Sequence, residues 1–260
     1  MDRAELITTL QDNAVFARVP RDKLERLALH AEVLRLEPGA RVLEEGDASD
    51  HIFVLTSGFA GVFYSSPDGV DVLVKLFGAP AVFGEMELFF GQPRQEYVEC
   101  LEPSVVVRIP AHDFLGLLRT DPVACYAMLQ DVATRLAIAA YHERSLAFHD
   151  VPMRLAGLFL SFLEACGTKS RSGRASLRIK LTYEMLARCL AVNVRSIDRT
   201  MTEWAREGWL ERNRSLYTFT DVAQLAEKAD PERLALYSRL GLLPHRTGDL
   251  LFTDEGEPLP

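Results

Sequence analysis

The feature that most constrains this chain is residues 121–150. After the capping pair Asp121-Pro122 there is neither glycine nor proline, and Cys125, Leu129, Val132, Leu136, Ala139 and Leu146 recur in steps of four and three, interrupted once at Glu143. A globular helix usually carries a broader apolar face, whereas a seam this narrow and this long suits a partner helix lying nearly parallel. These six residues are therefore expected to form the interface of a homodimer. A buried helix of a monomer is the alternative, because Ala137, Ile138, Ala140 and Tyr141 widen the face.

The two sides of this helix differ in charge. Residues 1–150 hold 13 Lys/Arg against 23 Asp/Glu, residues 151–220 hold 12 against 6, and residues 221–260 hold 4 against 8. The formal charge of −8 thus hides one basic segment, which suits a dedicated nucleic-acid surface. No unbroken apolar run reaches membrane-spanning length, and the start, Met1-Asp2-Arg3-Ala4-Glu5, is acidic, so a cytoplasmic protein without membrane attachment is expected. Cys100, Cys125, Cys166 and Cys189 stand singly, which indicates small buried hydrophobes and no disulfide framework, zinc site or iron–sulfur cluster.

In chain order, helical patterning covers Glu5–Asp12 and Arg21–His30, and then the period changes. Short runs rich in Val, Leu, Ile and Phe occupy Glu32–Leu36, Arg41–Glu44, His51–Leu55, Phe59–Tyr64, Val70–Phe77, Tyr97–Leu101 and Val105–Ile109, separated by turn signals such as Pro38-Gly39, Glu45-Gly46-Asp47, Ser57-Gly58 and Gly91-Gln92-Pro93. Strands so short and so regularly spaced close into a barrel or jelly roll. A small helix is expected at His112–Arg119. Beyond the seam, Asp150 caps a helix running to about Cys166, and a loop from Thr168 to Ser176 leads into Leu177–Leu181. Thr182 starts a short helix to Leu190, and Asn193 caps a second one ending at Gly208. Two such helices joined at Ala191-Val192 make a helix-turn-helix, in which Ala187, Ala191 and Ile197 let the pair cross closely. Glycine is more usual than Ala191 in that turn, and Thr200 stands where an aliphatic core residue is expected. Trp209–Arg212 and Leu216–Phe219 supply a hairpin wing, and Glu232–Leu240 reads as one more helix.

The fold class expected is α+β: a jelly-roll-like β-roll over residues 1–120, a dimerisation helix and hinge over 121–149, a winged helix-turn-helix over 150–220, and an extension over 221–260. With Phe83-Gly84-Glu85-Met86-Glu87-Leu88-Phe89 in the roll and Leu146-Ala147-Phe148-His149-Asp150-Val151 at the hinge, the sequence from about residue 10 to 220 resembles the cyclic-AMP receptor and FNR family of bacterial transcription regulators.

That resemblance implies an effector-responsive regulator that binds palindromic double-stranded DNA operators as a homodimer and works with RNA polymerase, the second helix of each helix-turn-helix lying in the major groove. It implies DNA contacts from Thr182, Asn193, Val194, Arg195, Ser196, Arg199 and, in the wing, Arg214. Arg199 matches the family's arginine and suits guanine O6 and N7, while Val194 and Arg195 replace an arginine and a glutamate, so the half-site should differ. A phosphate contact is the alternative for each arginine.

The resemblance also places a small-molecule effector against Gly84, Glu85, Arg94, Gln95, Ala139 and Ala140. Gln95 and Glu96 follow Arg94 where cyclic-AMP binders carry a small hydroxyl residue and alanine, and Ala139-Ala140 replaces a Thr-Ser pair that hydrogen-bonds adenine, so cyclic AMP is not the expected effector. An ion pair bracing the roll is the alternative for Arg94 and Glu85. Haem and iron–sulfur ligation are not indicated: no cysteine cluster precedes the roll, and His142 reads as a solvated or hydrogen-bonded histidine. An enzyme is not expected, as there is no G-x-S-x-G, H-E-x-x-H or P-loop. The remaining alternative is a ligand-binding regulatory module whose winged helix contacts protein.

Overall fold

The structure is a computed structural model that describes residues 2–66, 68–169, 174–177, 179–214 and 216–231. It forms two compact units, Met1–Leu136 and Ala137–Pro260.

The first unit begins with α1 (Arg3–Gln11), whose N-terminus is closed by a capping box between Asp2 and Glu5, and α2 (Arg21–His30). Eight strands come next: β1 (Glu32–Leu36), β2 (Arg41–Leu43), β3 (His51–Ser57), β4 (Phe59–Ser65), β5 (Asp71–Gly78), β6 (Ala81–Phe83), β7 (Tyr97–Cys100) and β8 (Ser104–Pro110). Between β6 and β7 lies the single-turn α3 (Met86–Phe90), and α4 (Ala111–Thr120) closes the roll. Two four-stranded antiparallel sheets result, in the orders β1-β8-β3-β6 and β2-β7-β4-β5.

Alternation along β3 explains the layering. Phe53 and Leu55 face the second sheet and join Leu43, Ala60, Val62, Phe77, Phe83, Val98, Cys100 and Val106 in a core between the sheets. Ile52 and Val54 face the other way, against Leu6, Leu10, Leu24, Leu27, Phe114 and Leu117 of the helices. Every residue of this strand from Ile52 to Leu55 is buried, so it reads as a continuous apolar run.

The long helix α5 (Pro122–Phe148) crosses the boundary between the units. Asp121 accepts from the backbone N–H groups of Val123 and Ala124 at 3.1 and 3.0 Å, as its position before Pro122 anticipates. Ala124 and Met128 enter the helix-facing core of the first unit, and Val132 packs on that same core. Leu129 (61% exposed), Leu136 (69%), Cys125, Ala139 and Leu146 are left on the surface, as are Tyr126 and Phe148. Averaged over a window, α5 is long and apolar enough to cross a membrane, although its apolar residues are broken into short runs. Of the four cysteines expected to be buried, Cys100 and Cys166 are, Cys189 is half-buried, and Cys125 is exposed because the seam position it occupies faces outward.

The second unit contains α6 (Val151–Cys166), β9 (Gly167–Lys169), β10 (Ala175–Leu177), α7 (Tyr183–Cys189), α8 (Val194–Arg206), β11 (Leu210–Asn213), β12 (Leu216–Phe219) and α9 (Val222–Lys228). Asp150 caps α6 by accepting from Met153 N–H at 2.9 Å. Phe159 of α6 sits among Trp204, Tyr217 and Phe219, at ring-centroid distances of 6.3, 5.3 and 5.0 Å, which fastens the helix-turn-helix and the wing to one aromatic core. The wing is larger than the hairpin expected: β9 and β10 extend it to a four-stranded sheet, order β11-β12-β10-β9, where a loop from Thr168 was anticipated. Residues 222–228 form α9, packed on α6, so the second unit continues past residue 220. The helix expected over Glu232–Leu240 lies outside the described residues.

Candidate nucleic-acid interface and effector site

The helix-turn-helix is built by two side-chain caps and one strained turn. Thr182 Oγ1 accepts from Met185 N–H at 3.1 Å to start α7, and Asn193 Oδ1 accepts from Ser196 N–H at 2.8 Å to start α8. The Ser196 hydroxyl also donates to Asn193 Oδ1, at 3.0 Å, so both residues are engaged in the cap. Ala191 sits in the turn with φ of 50°, a left-handed conformation that explains why glycine is more usual there. Contrary to expectation, Ala191 is exposed and takes no part in the helix crossing, since a residue in that conformation belongs to the turn; Leu186, Ala187 and Ile197 are buried at the crossing. Arg154 of α6 donates to Leu190 O at 3.1 Å and holds the turn against the unit's core.

Helix α8 has two chemically distinct faces. Ile197, Thr200, Met201 and Trp204 are buried, and Thr200 is tolerated because its hydroxyl donates to Ser196 O at 3.0 Å. Val194 (39% exposed), Arg195 and Arg199 stand on the surface at the N-terminal half. In the wing, Arg214 has φ of 57° at the tight turn, and its carbonyl accepts from Arg212 Nε at 2.5 Å. The Arg212 guanidinium is over the Tyr183 ring, 4.0 Å from its centroid, which ties the wing to α7.

In the first unit the structure brings Gly84, Glu85 and Arg94 together. Gly84 has φ of 82°, where any L side chain is strained, and a Cβ there would press on Phe53 at 3.1 Å and on Arg94 at 3.3 Å, so glycine is favoured. Arg94, 3% exposed, turns inward: Nη1 donates to Gly84 O at 2.6 Å, Nη2 donates to His51 O at 2.5 Å, and Nη1 is 3.5 Å from Glu87 Oε2. Gln95 is exposed, and burial together with the neighbouring Glu96 carboxylate pushes the Tyr64 phenol up to about 12. Ala139 and Ala140 belong to the second unit, where both are exposed.

Four charged residues at this cluster were not singled out by sequence reasoning. Arg135 of α5 reaches the fully buried Glu85 at 2.6 Å and Asp131 at 2.6 Å, while neither Glu85 oxygen accepts an aligned hydrogen bond among the described residues. The signal available was the i, i+4 Asp131–Arg135 pair, the one acid–base pair at that spacing in the first half of the helix. Glu87 and Lys75 complete the set. Burial pushes the Lys75 ammonium down to about 7, with Arg135 adding to the effect and Asp131, Glu85 and Glu96 opposing it. Burial raises the Glu96 carboxyl, and Glu87 reinforces the shift.

Two family signatures match the chain: the cyclic nucleotide-binding domain over residues 33–121 and the Crp-like helix-turn-helix domain over residues 153–228. Among curated proteins, the chain is 24% identical to the CRP-like cAMP-activated global transcriptional regulator of Mycobacterium tuberculosis, over 79% of this chain and 94% of that protein. Among solved structures, it is similar to a CRP/FNR-family transcriptional regulator of Thermus thermophilus (TM-score 0.62, 22% identity, 76% of this chain and 97% of that one). It is also similar to the c-di-GMP responsive global regulator CLP of Xanthomonas campestris (TM-score 0.62, 18% identity, 77% and 99%).

Proposed function

Because the chain belongs to the CRP/FNR family of DNA-binding transcription regulators, with a cyclic nucleotide-binding domain ahead of a Crp-like helix-turn-helix domain, we propose that it binds palindromic operators as a homodimer under control of a small-molecule effector. The observation that carries the DNA reading is α8, whose exposed half presents Val194, Arg195 and Arg199 while its other face is locked into the aromatic core. Arg199 reads guanine through O6 and N7, and Val194 offers an apolar contact suited to a thymine methyl. Arg195, Arg214 and Lys180 bind phosphates. The exposed Leu129, Leu136 and Leu146 support pairing of α5 with its copy. The protein works in the cytoplasm, where operators and RNA polymerase are available to it.

The effector differs from that of the cAMP-activated relative. A cyclic phosphate needs guanidinium donors, yet the terminal nitrogens of Arg94 already serve two backbone carbonyls and lie beside Glu87. Held in this way, Arg94 offers a cyclic phosphate fewer free donors than a guanidinium aimed at the ligand. Glu85 Oε1 is paired with Arg135, whereas its buried Oε2 accepts no hydrogen bond among the described residues and favours instead a neutral effector that brings a hydroxyl or N–H donor.

Selection of binding sites from random duplex DNA tests the operator reading. A two-fold symmetric motif is expected, losing information at one position per half-site in Arg199→Ala, where a bidentate base contact is worth about 1–3 kcal/mol. Equal enrichment of all sequences would instead favour a winged helix that contacts protein. Calorimetry with cyclic AMP and cyclic di-GMP tests the effector reading: micromolar binding that raises operator affinity would overturn it.

A further inference from the structure

We propose that His30, His112 and Asp113 form a binding site for a divalent metal ion of the borderline class, such as Zn2+ or Ni2+, on the outer surface of the first unit. The three residues come from two helices that lie side by side. His30 is the last residue of α2, and His112 and Asp113 belong to the first turn of α4. The backbone beneath them is held by buried neighbours, Leu27 and Ala28 on one helix and Ala111 and Phe114 on the other.

One carboxylate stands between two imidazoles. Asp113 Oδ2 is 2.9 Å from His30 Nδ1, and its other oxygen, Oδ1, is 3.3 Å from His112 Nε2. The imidazole centroids are 6.2 Å apart, and the potential ligand atoms of the three residues lie within 4.8 Å of one another. Metal–nitrogen and metal–oxygen bonds of about 2.0–2.2 Å place neighbouring ligand atoms of a tetrahedral ion roughly 3.3–3.5 Å apart. The His112–Asp113 separation is close to that spacing, and the 2.9 Å contact of His30 with the other carboxylate oxygen is a hydrogen bond whose proton the ion would replace. The imidazoles are 60% and 75% exposed, so bringing them onto one ion takes side-chain rotation and no backbone shift.

The donor set decides the class of ion. Two imidazole nitrogens and one carboxylate suit zinc, nickel, copper or cobalt, whereas magnesium and calcium prefer sites made wholly of oxygen. Water completes the coordination on the open side. An ion held here clips the end of α2 to the start of α4 and stabilises the unit by mass action.

Titration calorimetry of the 260-residue chain with Zn2+, run beside Mg2+, tests the site, with Cys125→Ser as the background to remove the exposed thiol. One Zn2+ per chain is expected, together with a rise in melting temperature and no response to Mg2+. Loss of an outer-shell partner already lowers metal affinity by about 10–100-fold, so removing a direct ligand in His30→Ala or His112→Ala should cost at least about a hundredfold. Asp113→Asn, which keeps a polar side chain but loses the charge, should weaken binding while circular dichroism stays unchanged. No stoichiometric Zn2+ binding, equal binding of Mg2+, or Zn2+ affinity unchanged in the His30→Ala/His112→Ala double variant would overturn the proposal.

Discussion

Arg135 and Glu85, fifty positions apart in sequence, meet at 2.6 Å inside the first unit, so the middle of the long helix and the roll share one ion pair whose carboxylate is fully buried. Removing one partner of such a pair leaves a charge uncompensated in a medium that solvates it poorly. Arg135→Met is expected to lower stability by about 3–5 kcal/mol, and adding Glu85→Gln to it should recover most of that loss. Denaturant unfolding of the four proteins in a double-mutant cycle checks it. An additive double variant would mean that the two residues do not act as a pair.

The seam on α5 separates into two kinds of position. Leu129 and Leu136 are mostly exposed, whereas Val132 packs on the core of its own unit. Leu136→Glu should therefore yield a folded monomer in sedimentation with an unchanged melting profile for the first unit. Val132→Glu should lower that melting temperature, because burying an aliphatic side chain contributes about 1.5–3 kcal/mol and a charge cannot replace it. The opposite pattern would show that Val132, and not Leu136, lies at the interface.

Lys75 has a folded-state pKa depressed from 10.5 to about 7. Between those limits the unfolded chain binds the extra proton, so this group makes stability rise with pH from about 7 to 10.5 and adds no slope below 7. Lys75→Met should flatten the rise, measured as melting temperature against pH. A parallel pair of curves would place the ammonium in water.

Ala191 holds the turn between α7 and α8 at φ of 50°. A left-handed alanine costs about 1–2 kcal/mol, part of which glycine returns as entropy of the unfolded chain. Ala191→Gly should raise stability by roughly 0.5–1 kcal/mol and leave operator affinity unchanged, which thermal unfolding and a binding isotherm together would show.

The reading helix was legible because its determinants are local. Asn193 caps it, Ile197, Thr200, Met201 and Trp204 repeat with helical spacing, and the exposed Arg195 and Arg199 fall between them. The strands with strong alternation and clear turns were found within a residue or two for the same reason. The elements missed are short and depend on partners. Strand β6, three residues long, exists through pairing of Val82 with Val54 of β3. Strand β9 similarly exists through Thr168 opposite Ser176. Helix α9 had its cap in Asp221, but seven residues are too few to show a period without the face of α6 to pack on.

By itself the sequence determined which residues cap, turn and alternate, and with them the order of β-roll, long helix and winged helix-turn-helix, because those preferences act between neighbours along the chain. Only the tertiary structure decided that Arg94 turns inward to the carbonyls of Gly84 and His51, that Arg135 neutralises Glu85, and that Val132 faces its own core. The physical reason is distance along the chain. A charge buried in a folded unit is set by groups tens of residues away, and nothing in the spacing of nearby side chains says which of them will be within about 4 Å, the reach of an ion pair.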